Sequence, residues 1–146
     1  MPDPARLIGI NHVALEVGDV EAALELYGRL FAFELRGRAG RMAFIDMGDQ
    51  FLALSQGRRQ GPDEGRHFGL VVDDKEAVCD AVVREGLEIV PGRGLDFLDP
   101  WGNRFEVVDY RDIQFSRVPG VMRKLGVEGL GKRPTALEEI RSRGLD

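Results

Sequence analysis

Hydrophobic and polar residues alternate along residues 7–17, and this pattern predicts a β-strand with two different faces. Val13, Leu15 and Val17 point to one side, because successive side chains of a strand face opposite ways. His12 and the polar positions in register with it point to the other side. We expect the apolar face to pack on a helix and the other face to line a polar space.

The spacing of apolar residues then becomes helical, and Asp19 is well placed to cap a helix over about residues 20–31. Short apolar segments separated by glycine-containing turns come next, and each predicts a strand. These segments are residues 33–38, 41–47 and 50–56. Residues 7–56 therefore form a β-α-β-β-β module.

The same order of elements recurs at an offset of 55 residues, which matches His12 with His67 and Asp19 with Asp74. The repeat predicts a helix over residues 75–85 and further strands over residues 88–91, 95–98 and 103–108. The second module spans residues 66–110, and a polar linker, residues 57–65, joins it to the first. We expect residues 1–110 to fold as a single domain.

Residues 111–146 lie beyond the duplication and are rich in turn residues. Thr135 and Glu138 have the spacing of a capping box, so a short helix should begin there. The predicted fold class is α+β, with a C-terminal helical extension.

Composition excludes several functions. The net charge is −5 and the pI is about 5.1, which argues against a nucleic-acid-binding surface. Cys79 is the single cysteine, so no disulfide framework is expected. The sequence has no signal-peptide pattern and no apolar run of the roughly 18 residues that a membrane span needs. We expect a soluble, cytoplasmic protein that acts on a small molecule.

The second module ends in Asp99-Pro-Trp-Gly-Asn103, followed by Arg104-Phe-Glu106 on the last strand. With a histidine near the start of each module, this run resembles the vicinal oxygen chelate superfamily, the group of glyoxalases, bleomycin-resistance proteins and extradiol dioxygenases. The resemblance covers residues 10–110. It implies paired modules that form an incomplete mixed β-barrel, whose cavity holds a divalent metal chelating two neighbouring substrate oxygens.

Carried over from the family, the metal ligands are His12, His67 and Glu106. The fourth family position is glutamate in glyoxalase I, and aligning residues 50–53 with residues 104–107 puts Leu52 there. Two imidazoles and one carboxylate leave up to three open positions on Fe(II) or Mn(II), the metals that we expect. Zn(II) or Ni(II) would also fit this ligand set.

Other residues could line the same cavity. Asp96 shares its strand parity with Leu98 and could act as a general base beside Glu106, or could be a solvated turn residue. Leu52 and Leu54 would form an apolar substrate-binding wall opposite Glu106, or could be ordinary core residues.

Arg104 shares the face of Glu106 and could meet an anionic substrate, although a strand-end arginine is more often solvated. Glu16 lies too far along its strand from His12 to bind the same metal.

The resemblance favours a metal-dependent enzyme of dioxygenase-like type, because the ligand set is two His and one Glu. A glyoxalase-like lyase or isomerase, a thiol transferase, and a non-catalytic protein that sequesters a drug are the alternatives. Relatives of this size pair, so we expect a homodimer. The linker permits modules to be exchanged, in which case His12 of one chain would join His67 and Glu106 of the other.

Overall fold

The structure is a computed structural model, and it describes residues 3–146. The first module has the predicted order of elements: β1 (His12–Val17), α1 (Val20–Leu30), β2 (Leu35–Ala39), β3 (Met42–Asp46) and β4 (Phe51–Gln56). Its four strands form one sheet in the order β1-β4-β3-β2. β1 runs parallel to β4, and the other neighbouring strands are antiparallel.

The second module repeats this topology. Its elements are β5 (Phe68–Val72), α2 (Lys75–Arg84), β6 (Glu88–Val90), β7 (Leu95–Leu98) and β8 (Arg104–Asp109). The sheet order is β5-β8-β7-β6, again with one parallel pair, β5 and β8. The two sheets do not close into one barrel, so the predicted α+β class with an incomplete barrel is confirmed.

Both helices begin where the repeat predicts. The side chain of Asp19 accepts a hydrogen bond from the backbone N–H of Ala22 at 3.0 Å, and Asp74 does the same for Ala77 at 3.1 Å. These N-caps satisfy donors that a helix start leaves unpaired. Each helix then packs its apolar side on the inward face of the sheets.

Both modules share one hydrophobic core. Phe105 on β8 lies edge-on to Tyr27 of α1, with ring centroids 5.5 Å apart, and Phe31 stacks on the same ring. Because the helices and the inward-facing strand residues fill this core, the opposite face of each sheet remains open. We call these the first and second open faces, and they carry His12 and Glu106, respectively.

A buried carboxylate joins the modules. Asp99, only 4% exposed, follows β7 and accepts a 2.6 Å hydrogen bond from the hydroxyl of Tyr27 on α1. Its other hydrogen bonds come from the backbone N–H groups of Trp101 and Asn103 and from the Asn103 side chain. Burial raises the pKa of Tyr27 well above its ordinary value, and the neighbouring Asp99 charge adds to this effect. Tyr27 therefore remains a hydrogen-bond donor.

Polar contacts hold the linker, residues 57–65, against the turn formed by residues 99–103. The Arg58 side chain is only 4% exposed and donates to Asn103 Oδ1 at 2.5 Å. The backbone N–H of Asp63 donates to the carbonyl of Gly102 at 2.8 Å. Gly102 has a φ of +91°, and a Cβ there would lie 2.5 Å from Pro62. Glycine thus permits both the turn conformation and the close approach of the linker.

The structure differs from the sequence prediction most clearly in the first strand and in the C-terminal extension. The first strand begins at His12 instead of residue 7, because its partner β4 begins at Phe51, which pairs with His12. The extension has two helices, α3 (Pro119–Lys124) and α4 (Pro134–Ser142), in place of one. The capping box of Thr135 does not form, because Pro134 occupies the first helical position and Arg133 is the N-cap.

None of the helices in residues 3–146 has the length and apolar character required to cross a membrane.

Replacing Tyr27 by phenylalanine should lower the free energy of unfolding by about 1.5–3 kcal/mol, because Asp99 stays buried and loses a donor. Tyr110→Phe is the matched control. Its hydroxyl only accepts a long 3.4 Å bond from a backbone N–H, so the loss should stay below about 1 kcal/mol. Urea denaturation followed by circular dichroism measures both. Equal losses in the two variants would contradict the role of the Asp99 joint.

Candidate metal centre

His67 and Glu106 lie side by side on the second open face. His67 immediately precedes β5, and Glu106 lies on β8, which pairs with β5 through Gly69. The His67 Nε2 and Glu106 Oε2 atoms are 3.0 Å apart, and the side chains are 41% and 37% exposed. The pair is therefore formed within one module and is open to solvent on one side.

The backbone determines the tautomer of His67. Its Nδ1 lies 2.8 Å from the carbonyl oxygen of Gly65, which can only accept, so Nδ1 carries the proton. In the neutral ring, Nε2 then presents a lone pair toward the Glu106 carboxylate. Two acceptors this close need a cation between them, either a proton on Nε2 or a metal ion. The 3.0 Å separation is that of an ordinary hydrogen bond, and it would also allow both atoms to bind one metal ion.

His12 has the same arrangement at the start of β1. Its Nδ1 lies 2.8 Å from Oδ1 of Asn11, which leaves the lone pair of the neutral ring on Nε2. The ring stacks on Phe51 of β4, with centroids 4.8 Å apart and planes 9° from parallel. An acceptor on the far nitrogen is the usual way in which a protein orients a metal-binding histidine. Both histidines therefore have the donor set that a divalent metal requires.

One chain does not bring the three predicted ligands together. Within residues 3–146, no cluster of three or more His, Cys, Asp or Glu side chains is close enough to hold a metal ion. His12 lies on the first open face, whereas His67 and Glu106 lie on the second. A single chain thus supplies a His–Glu pair and, apart from it, the third candidate ligand, His12.

The strand register corrects the predicted fourth position. Gly69 of β5 pairs with Glu106, and the equivalent residue Ala14 of β1 pairs with Ala53. Ala53 therefore corresponds to Glu106, and the alignment that put Leu52 there was wrong by one residue. A one-residue slip turns a side chain to the opposite face of the sheet.

Leu52 and Leu54 are consequently core residues. They are 4% and 0% exposed, belong to the shared hydrophobic cluster, and face away from His12. The prediction that they form a substrate-binding wall is wrong. The alignment failed because Phe51 and Phe105 look equivalent in sequence, although Phe51 lies on an open face and Phe105 in the core.

The register pairs Asp96 with Glu106, so both lie on the second open face, as strand parity predicted. One oxygen of Asp96 accepts a 2.8 Å hydrogen bond from Nε of Arg104 and lies 2.8 Å from Nη2 of the same guanidinium. Arg104 also donates to the backbone carbonyl of Glu64 in the linker. These contacts commit Asp96 and Arg104 to each other, which does not favour a general base at Asp96 or an anion-binding role for Arg104.

A cleft of about 190 Å³ separates β1 from the start of β5. Glu16 and His67 line its two sides, together with Asp63 and two arginines of the linker, Arg58 and Arg66. Partial burial acts to raise the pKa of Asp63, but the contacts with Arg66 and Arg58 outweigh it and lower that pKa. The charges of the cleft are thus largely paired.

The first open face contains residues that the sequence patterns did not single out. Phe44 of β3 lies edge-on to Phe51 at 5.8 Å, and the Arg36 guanidinium lies 4.7 Å above the same Phe51 ring. Phe44 pairs with Ala53, and Ala53 pairs with Ala14, so Phe44 lies on the same side of the sheet as His12. The sequence could have identified Phe44 and Phe51 as residues of this face only if the pairing of β4 with β1 and β3 had been known.

The model of the glyoxalase/bleomycin resistance protein/dioxygenase superfamily matches residues 9–107. The chain belongs to this superfamily. Residues 108–146, which include nearly all of the extension, lie outside the match.

Solved structures of the superfamily share the fold of this chain. The fosfomycin resistance protein FosX from Mesorhizobium loti is 24% identical, with a TM-score of 0.59 over 70% of this chain and 92% of its own. A mutant of FosX from Listeria monocytogenes, complexed with Mn(II) and 1S,2S-dihydroxypropylphosphonic acid, is 18% identical, with a TM-score of 0.61 over 70% and 90%. An integron cassette protein from V. cholerae is 20% identical, with a TM-score of 0.57 over 74% and 99%.

Two variants, Ala53→Glu and Leu52→Glu, test which of these neighbouring residues of β4 faces the first open face. Ala53 is as little exposed as Leu52, at 4%, but it lies outside the core cluster and on the side of the sheet that carries His12. A carboxylate at residue 53 should extend past its neighbours onto the first open face, cost about 1–2 kcal/mol of stability, and strengthen divalent-metal binding. The same change at the neighbouring residue 52 buries a charge in the core and should cost at least about 3 kcal/mol. Thermal unfolding with and without Mn(II) compares them, and greater damage at residue 53 would reject the register.

Proposed function

We propose that this protein is a divalent-metal-dependent enzyme of the superfamily, with His12, His67 and Glu106 as the metal ligands. The observation that carries the proposal is the 3.0 Å approach of His67 Nε2 to Glu106 Oε2, while each histidine is held through Nδ1 by an oxygen acceptor. A non-catalytic drug-binding relative has no need for two histidines oriented in this way.

The complete site forms between two copies of the chain, with His12 from one copy and the His67–Glu106 pair from the other. Two features support this arrangement. The open faces point away from the shared core, and within one chain the three residues do not cluster. The segment that leads into β1 also has Leu7 and Ile8 almost fully exposed, at 103% and 98%, and such apolar side chains require a partner surface.

Fe(II) or Mn(II) is the metal that we favour, because two imidazoles and one carboxylate on one side leave the remaining coordination positions open. Zn(II) and Ni(II) are compatible with the same donors. The Mn(II) named for the similar Listeria FosX supports Mn(II) as the first metal to test.

When bound, the metal would act as a Lewis acid on two neighbouring oxygens of a small substrate. The residues of the chain position that centre: Gly65 and Asn11 orient the imidazoles, and the Arg104–Asp96 ion pair borders Glu106. Three protein ligands leave room for a chelating substrate and one further reactant, as a dioxygenase-like reaction requires. A lyase or a thiol transferase would use the same chelation.

Mixing two variants that each lack one proposed metal ligand tests whether the site forms between chains. His12→Ala and His67→Ala should each bind Mn(II) weakly as pure homodimers. After the two are refolded together, random pairing gives mixed dimers in which one of the two sites is intact, so about a quarter of all sites should recover tight binding. Mn(II) electron paramagnetic resonance measures the bound fraction.

Glu16→Gln is the matched control, since it alters the same strand face as His12 without removing a proposed ligand. It should bind Mn(II) as the unmodified protein does. No recovery in the mixture would place the site within one chain, and tight binding by either pure histidine variant would reject the ligand assignment.

A further inference from the structure

We infer that the substrate of this site carries a planar apolar group, which lies on an aromatic shelf of the first open face. The shelf is defined by Ala14, Met42, Phe44, Phe51 and Ala53. This inference rests on the proposed function, because it assumes that His12 is a metal ligand, and it adds the class of substrate.

The strand register forms the shelf. One row across the sheet reads Ala14, Ala53, Phe44 and Gly37, from β1 to β2. Small residues lie on both sides of Phe44 in this row, so its ring is the largest apolar side chain there. Phe51 lies in the adjoining row and meets Phe44 edge-on at 5.8 Å. The His12 imidazole and the Arg36 guanidinium already contact the Phe51 ring, so Phe44 is the ring of the shelf on which another ring can stack.

The shelf is continuous with the metal ligand. His12 pairs with Phe51 in the register and stacks on it, so the imidazole is the rim of the shelf. A metal bound about 2.1 Å from the Nε2 atom would stand beside this apolar surface. The substrate oxygens would then reach the metal while the attached carbon framework covers the Phe44 ring beside Phe51.

Charges on the two open faces argue against a phosphonate substrate. Arg36 donates to the Asp46 carboxylate at 3.2 Å and to the Gly48 carbonyl at 2.7 Å. On the second face, Arg104 is paired with Asp96. A phosphonate needs several unpaired cations to replace its lost hydration, and these two guanidiniums are already neutralised. An uncharged ring with two neighbouring oxygens matches the surroundings better.

A matched pair of ligands tests this inference. Hydroxyacetone and 2-hydroxyacetophenone share two neighbouring oxygens and differ in a methyl or a phenyl group. The Mn(II)-loaded protein should bind the phenyl compound at least about tenfold more tightly, and Phe44→Ala should reduce this advantage by about three- to tenfold. Mn(II) affinity should not change in Phe44→Ala. Phe115→Ala, at an exposed phenylalanine of the extension, should retain the full advantage.

The outcomes separate the two proposals. Mn(II) binding without a phenyl advantage, an advantage that survives Phe44→Ala, or tighter binding of propylphosphonate would each overturn the shelf. Ligand-observed NMR on the metal-free protein gives an independent measurement, because stacking of the ring needs no metal. A Phe44-dependent phenyl preference there, combined with no Mn(II) binding, would support the shelf and reject the proposed metal function.

Light scattering completes the test, because a second copy of the chain could cover the same face. Phe44→Ala should keep the oligomeric state of the unmodified protein. Dissociation of this variant, together with no phenyl preference in the unmodified protein, would identify the face as a subunit contact and overturn the inference.

Discussion

The arrangement of both modules depends on the hydrogen bonds of one buried carboxylate. Asp99 accepts from Tyr27, Trp101 and Asn103 at distances of 2.6–3.0 Å. A charge removed from water is tolerated only when such donors replace the lost hydration. Because Tyr27 belongs to the first module and the other donors to the second, the requirement to satisfy Asp99 fixes how the modules meet. The Asn103 amide strengthens this joint by donating to the Glu16 carbonyl on β1.

The same joint extends to the metal ligands through the linker. Asn103 accepts from Arg58, whose guanidinium also holds the Gly61 carbonyl. Further along, Arg104 holds Glu64, and the next residue, Gly65, orients His67. The position of the proposed ligand His67 thus follows from polar contacts along the nine linker residues. If His67 binds a metal as proposed, the packing between the modules matters to the site as much as the ligand residues do.

The sequence predicted local features better than distant ones. Alternation and the paired caps Asp19 and Asp74 identified the modules, because these signals lie within a few residues of the elements that they specify. The register of β4 was not predictable in this way, since it depends on which residue of β1 lies opposite. Phe51 and Phe105 therefore appeared equivalent, and the counterpart of Glu106 was placed one residue early. The run from Asp99 to Asn103 was predicted as a hairpin turn and matched a family signature, but its role in joining the modules was not predicted, because Tyr27 and Glu16 lie far away in the chain.

The corrected register shows how the duplicated modules have become different. Equivalent positions hold Ala53 and Glu106 on the last strands, and Phe44 and Asp96 on the strands beside them. The first open face therefore has an apolar centre, Phe44 and Phe51 beside His12, with the Arg36–Asp46 ion pair next to it, whereas the second open face carries charged residues at the equivalent positions. A site within one module would have only one of these characters. In the proposed dimer, the first face of one chain would meet the second face of another, and each site would gain a charged side for a metal and an apolar side for a carbon framework. The divergence of two similar sheets would then provide a physical reason for the proposed pairing.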